Sequence, residues 1–149
     1  MARIERAGFA AVTPLVARRL WVDTNRWPTF VDGFGHVTQI DETWPEPGAK
    51  VVWESGPAGR GRVTERIREL NDNAVATDVF DAQMTAVQVI RFEPAEDGCN
   101  VLLSLDYELS QGGPLRRLTD VLFIRRSLAM ALERTLRRFS TEAGDEATL

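Results

Sequence analysis

Two charged side chains and one phenol in this chain stand where groups of their kind can do chemistry. Arg125 belongs to the series Leu118, Leu122, Arg125, Ala129, Leu132, Leu136 and Phe139, whose members fall three or four residues apart. That spacing is one face of an α-helix. A guanidinium on such a face must pair, reach water along its stem, or meet a carbonyl or anionic group of a ligand, because burying it alone is costly. Glu65 is its natural acidic partner. It alternates with Val63 and Ile67, so a strand that turns those two inward turns Glu65 inward with them. Desolvation would raise its pKa and a nearby arginine would lower it. A carboxyl so placed is either half of a structural ion pair or a general base for enolisation or aldol closure. Tyr107 adds a hydroxyl able to orient a carbonyl.

Around these three stand Trp27, Phe30, Trp53 and Phe80, which together with Tyr107 can line an apolar ligand pocket or fill an ordinary core. Gln88, on the same side of its strand as Ile90 and Phe92, would bring an amide to the interior. Leu122 and the small Ala129, one turn on from Arg125, complete the candidate set on the helix. Other chemistry finds no support. His36 is the single histidine and follows Gly33-Phe34-Gly35 at a strand start, the setting of a surface residue. No Cys/His cluster has metal-ligand spacing, and no nucleophile elbow or phosphate-binding loop occurs. No metal or cofactor is expected.

The elements that must position these residues are readable from periodicity. A first strand spans Arg3 to Val12. Thr13-Pro14 then opens a short helix, the hydroxyl capping it and the proline giving up an amide that would be unpaired anyway. A second helical turn follows at Trp27–Val31. Strands are expected at His36–Thr43, Lys50–Ser55, Gly61–Leu70, Ala74–Phe80, Thr85–Phe92 and Asn100–Leu109, separated by Gly, Pro, Asn and Asp clusters such as Gly56-Pro57-Ala58-Gly59. Neighbours this close should pair as antiparallel hairpins. A long helix opens at Gly112-Gly113-Pro114 and runs to Phe139, its apolar arc widened by Val121, Ile124 and Leu128. The expectation is one domain over residues 1–142, with 143–149 a disordered acidic tail.

Composition bounds the partners. In 149 residues, 44% apolar and 27% charged residues suit a globular domain with a real core, and a net charge of -4 argues against nucleic acid. One cysteine cannot form an internal disulfide, and no segment approaches a signal peptide or a membrane span. A cytoplasmic protein, monomer or homodimer and without stable membrane insertion, is expected.

The element order, the Trp27-Pro28-Thr29-Phe30 segment, Gly61-Arg62-Val63-Thr64-Glu65-Arg66 and Arg91-Phe92-Glu93-Pro94 resemble the START/Bet v 1-like (SRPBCC) superfamily, within it the bacterial polyketide cyclase/dehydrase and lipid-transport group. The resemblance implies an α+β helix-grip fold: a curved seven-stranded antiparallel sheet with two short helices, wrapped around a long C-terminal helix over a hydrophobic cavity. Trp27-Pro28-Thr29-Phe30-Val31 is also similar to the Tyr-Pro-x-Phe segment of coenzyme Q-binding relatives, which hints at an isoprenoid or quinone. The function so implied is binding of one hydrophobic small molecule, polyketide-like, lipid or isoprenoid, between sheet and helix. The alternatives are a cofactor-free cyclase/dehydratase using Glu65, Arg125 and Tyr107, and the protein-interaction role of ribosome- or chaperone-associated relatives.

Overall fold

A computed structural model describes residues 1–57, 60–110 and 118–148. Seven strands, β1 (Ala2–Ala10), β2 (Phe34–Ile40), β3 (Lys50–Ser55), β4 (Arg62–Asn71), β5 (Ala74–Phe80), β6 (Met84–Ala95) and β7 (Gly98–Leu109), form one antiparallel sheet in the order β1-β7-β6-β5-β4-β3-β2. Between β1 and β2 come α1 (Pro14–Val22), a 3-10 turn (Thr24–Arg26) and the single-turn α2 (Trp27–Phe30), and α3 (Leu118–Ala147) follows β7. This is the helix-grip arrangement, a curved sheet holding one long helix.

Alternation builds the sheet. Val101, Leu103, Leu105 and Tyr107 of β7 are buried, and Val63, Glu65 and Ile67 of β4 are buried between exposed Arg62, Arg66 and Arg68. α1 begins as its sequence dictates: the Val16 amide donates to Thr13 Oγ1 at 3.3 Å, with Pro14 in the first turn. An aromatic cluster then ties the helices to the sheet. Phe139 of α3 packs edge-on against Phe30 at 5.2 Å and Trp21 at 5.3 Å between ring centroids, and lies 6.2 Å from Phe92 of β6. The buried side chains of α3 are Leu132, Thr135, Leu136, Phe139 and Ala143, while none from 120 to 131 is fully buried. The helix is therefore rooted by its C-terminal half.

Some boundaries differ from expectation. β2 stops at Ile40, not Thr43, because Asp41 turns the chain and its carboxylate accepts the Lys50 amide at 2.9 Å. β6 runs past Phe92 through Pro94 to Ala95. The Asn73 carbonyl accepts the last β5-side hydrogen bond, from Phe92, so the missing amide of Pro94 costs the ladder nothing. Within 143–149, expected as a disordered tail, residues 143–147 are corrected: helix continues to Ala147, Ala143 is fully buried, and Arg26 pairs with both Glu142 and Glu146. The expected helix opening at Gly112-Gly113-Pro114, and Ala58-Gly59 of the β3–β4 turn, lie outside the described residues.

Candidate functional site

Between the concave face of the sheet and α3 lies a cavity of about 660 Å³. Packing voids in protein interiors rarely exceed one water molecule, whereas small-molecule sites span roughly 300–1,000 Å³. The sheet contributes Trp53 (β3), Glu65 (β4), Val79 (β5), Gln88 (β6), Leu103 and Leu105 (β7). Trp21 and Trp27 close one end, and Ile124, Leu128, Ala131, Leu132 and Thr135 of α3 form the roof. Exposed lining residues mark the mouth: Gly33, Pro57, Arg60, Gln83 and Phe123, the last 74% exposed.

Glu65 is the acidic group set deepest in this wall, 8% exposed. The Trp53 indole Nε1–H donates to its Oε2 at 2.7 Å. Among the described residues Oε1 has no hydrogen-bond partner, and it is not sealed away from the cavity. Burial pushes the carboxyl above its ordinary pKa of 4.5; the indole hydrogen bond and the positive charge of Arg60 pull the other way and do not overcome it. Arg60 itself is held at the mouth, its Nε donating to Asp81 Oδ2 at 2.7 Å. Asp81 is fixed in turn by the amides of Gln83 and Met84, at 2.8 and 3.0 Å to Oδ1.

A second ion pair lines the same cavity. Arg134 grips Asp32 with two parallel hydrogen bonds of 2.9 and 3.0 Å, and Arg138 adds a third at 3.2 Å. The hydrogen bonds from Arg134, then its charge and that of Arg138, hold the Asp32 carboxyl below the usual carboxylate range despite its partial burial. The Asp32 amide donates to Thr135 Oγ1 at 3.0 Å, which pins α2's exit to α3. The mouth is charged but internally matched, and the interior is apolar apart from Glu65, Gln88 and a few hydroxyls. Among the described residues the Gln88 amide has no protein partner and opens to the cavity.

Of the ten residues expected to touch a ligand, Trp27, Trp53, Glu65 and Gln88 line the cavity and the other six do not. Arg125 is corrected: it is exposed, and its Nη2 donates to the Arg3 carbonyl of β1 at 3.0 Å, so it neither enters the cavity nor pairs with Glu65. Leu122 and Phe80 are likewise corrected, at 55% and 43% exposed. Phe80 stands opposite Thr64 and Thr85 on the convex face, one residue out of phase with buried Val79. Phe30 and Tyr107 are buried in the core without lining the cavity, and Ala129 packs against the core from its edge. The roof of α3 is formed by Ile124 and Leu128, from the flank of the expected apolar arc, by Leu132 from its central line, and by Ala131 and Thr135 beside them. Arg60, Asp81, Asp32, Arg134 and Thr135 did not stand out in the sequence. Arg60 and Asp81 fall in hairpin turns and Arg134 on the charged side of the long helix, and Asp32 and Thr135 belong to no motif.

Among the described residues no three His, Cys, Asp or Glu side chains are grouped to hold a metal, and His36 is exposed on β2. Among them, too, no helix is long and apolar enough to cross a membrane.

A family model described as polyketide cyclase/dehydrase and lipid transport matches residues 1–144. No curated protein matches the chain. Several solved structures share the fold at low identity. The di-domain ARO/CYC protein StfQ from the steffimycin biosynthetic pathway superimposes with a TM-score of 0.77 at 14% identity, over 99% of this chain and 52% of that one. Ara h 8.0201 gives 0.75 at 12% identity, covering 97% of this chain and 98% of that one. The protein TTHA0849 from Thermus thermophilus gives 0.73 at 15% identity, covering 97% and 99%.

Proposed function

Since the chain belongs to the polyketide cyclase/dehydrase and lipid-transport family of the START/Bet v 1-like superfamily, we propose that it binds one apolar small molecule between sheet and α3. The observation that carries this reading is the cavity of about 660 Å³, roofed by aliphatic side chains and walled by three tryptophans. Removing that much apolar surface from water through a ligand is favourable at roughly 25 cal/mol per Å². The half-rooted helix above it offers a way in. Native mass spectrometry of protein purified from its own host tests the reading: a co-purifying apolar molecule, released on denaturation, is the expected result. Protein that is empty, and stays empty when offered polyketide-like, lipid and isoprenoid compounds, would refute it.

Cyclisation or dehydration at the same site is the second reading, favoured by one buried carboxyl, Glu65, facing the cavity. Arg125 and Tyr107 have no part in it, because neither lines the space a substrate would occupy. If the site turns over a poly-β-keto chain, Glu65→Gln should slow it roughly 10²-fold or more. Unchanged turnover would assign Glu65 to binding alone.

A further inference from the structure

The polarity of the cavity wall says more about the occupant than its volume does, provided the cavity-binding reading above holds. We propose that Glu65 meets its ligand as an uncharged carboxylic acid, donating a hydrogen bond from Oε1, so that the cavity selects neutral apolar molecules bearing a carbonyl oxygen.

The geometry carries this in three steps. First, the Trp53 indole can only donate, so Glu65 Oε2 must accept. The carbonyl oxygen of a carboxylic acid is its better acceptor, so the indole on Oε2 favours the proton on Oε1, which among the described residues has no partner. Second, a buried carboxylate needs a counter-charge or several donors, and one neutral indole is neither. The walls that share the cavity with the carboxyl carry uncharged side chains, Trp53 from β3, Val79 from β5, Gln88 from β6, Leu105 from β7 and Leu128 from α3, and among the described residues the one charge felt at Glu65 is that of Arg60, which is engaged by Asp81. Among the described residues the charged groups besides Glu65 that reach the cavity are Arg60, Asp81, Asp32 and Arg134, and these form two ion pairs, Asp32 accepting a further hydrogen bond from Arg138. Burial accordingly favours the protonated carboxyl over the ionised one. Third, among the described residues every cation that lines the cavity is held by a carboxylate, and every lining carboxylate but Glu65 is held by a cation. What remains is an O–H aimed into an apolar space, the arrangement by which a neutral acid binds a carbonyl oxygen.

Two fluorescent probes test the assignment: 6-propionyl-2-(dimethylamino)naphthalene, a neutral ketone whose emission moves to the red when its carbonyl accepts a hydrogen bond, and 2-(dimethylamino)naphthalene, the same frame without the ketone. The native protein should prefer the ketone by roughly tenfold, the worth of one net hydrogen bond. The bound ketone should emit further to the red than in Glu65→Leu, which should lose the preference. Glu65→Gln, whose amide donates at any pH, should keep it. As pH is raised above the ordinary carboxyl range the native preference should fall as the acid ionises, and that of Glu65→Gln should stay level. If neither probe binds the native protein, the cavity-binding reading itself fails. If both bind equally and Glu65→Leu changes nothing, the cavity reading stands and the donor role is overturned. A preference that rises with pH, or that Glu65→Gln abolishes, would mean Glu65 acts as an ionised acceptor and would also overturn it.

Discussion

A carboxyl with a single neutral hydrogen-bond donor and an apolar surround resists ionisation, and that makes Glu65 a measurable liability to the fold. Its folded pKa is raised above the ordinary 4.5. The stability it contributes is fully present below the unfolded pKa and is lost as pH rises through the folded one. Glu65→Gln cannot ionise, so in urea titrations the variant should gain on the native protein as pH rises above the ordinary carboxyl pKa. The opposite slope would show a paired carboxylate. Asp32 reverses the sign. Arg134 holds it below its ordinary 3.8, so its contribution is present above that value and lost as pH falls through the folded pKa. Asp32→Asn should therefore be less stable than the native protein near neutrality, the deficit closing in acid, as the same titrations would report. Glu65's inward aim was legible because Val63 and Ile67 flank it at a strand's period of two. Its electrostatic neighbour was not. Arg60 is close only because the β3–β4 turn folds it against Asp81, a contact across two hairpins that no local pattern announces.

In α3 the period was legible and the phase was not. Leu132, Leu136 and Phe139 do face inward. Extending that face toward the N-terminus put Leu122, Arg125 and Ala129 over the sheet, whereas the cavity is roofed by Ile124, Leu128 and Ala131. Two apolar stripes lie side by side there, and only the tertiary partner decides between them: β1, whose Arg3 carbonyl takes Arg125, claims one and the cavity the other. The acidic end misled for a related reason. Glu142 and Glu146 read as solvated charge until Arg26, more than a hundred residues earlier, is brought beside them. Rooting by the C-terminal half predicts an asymmetric response to truncation. Phe139→Ala should cost about 3–5 kcal/mol, as for a fully buried aromatic ring. Phe123→Ala, at 74% exposure, should stay within about 0.5 kcal/mol. Chemical denaturation of both variants measures the contrast; equal losses would mean that the helix is anchored along its whole length.

The whole-molecule pattern of strand, two short helices, six strands and one long helix follows from hairpin turns and one amphipathic run, all local signals. Among the strand pairings of the described residues, β1–β7, such as Ile4 with Leu105, is the one that closes over a long stretch of chain. Hollowness is different in kind, because a filled core and a lined cavity have the same binary pattern; what distinguishes them is side-chain volume summed across elements distant in sequence. Ala131 makes the distinction testable. It sits half-buried in the roof of the cavity, small where the neighbouring Leu128 and Leu132 are large. Ala131→Trp in a filled interior would overpack it and cost roughly 1–3 kcal/mol. Over a space of about 660 Å³ the indole has somewhere to go, so the variant should unfold within about 1 kcal/mol of the native protein. Occupying that space should at the same time weaken binding of the naphthyl ketone by roughly tenfold or more, since the ligand and the indole compete for one volume. Retained stability with lost binding is the joint signature of a hollow that serves a ligand, and a large loss of stability with binding untouched would place the ligand, if there is one, elsewhere on the molecule.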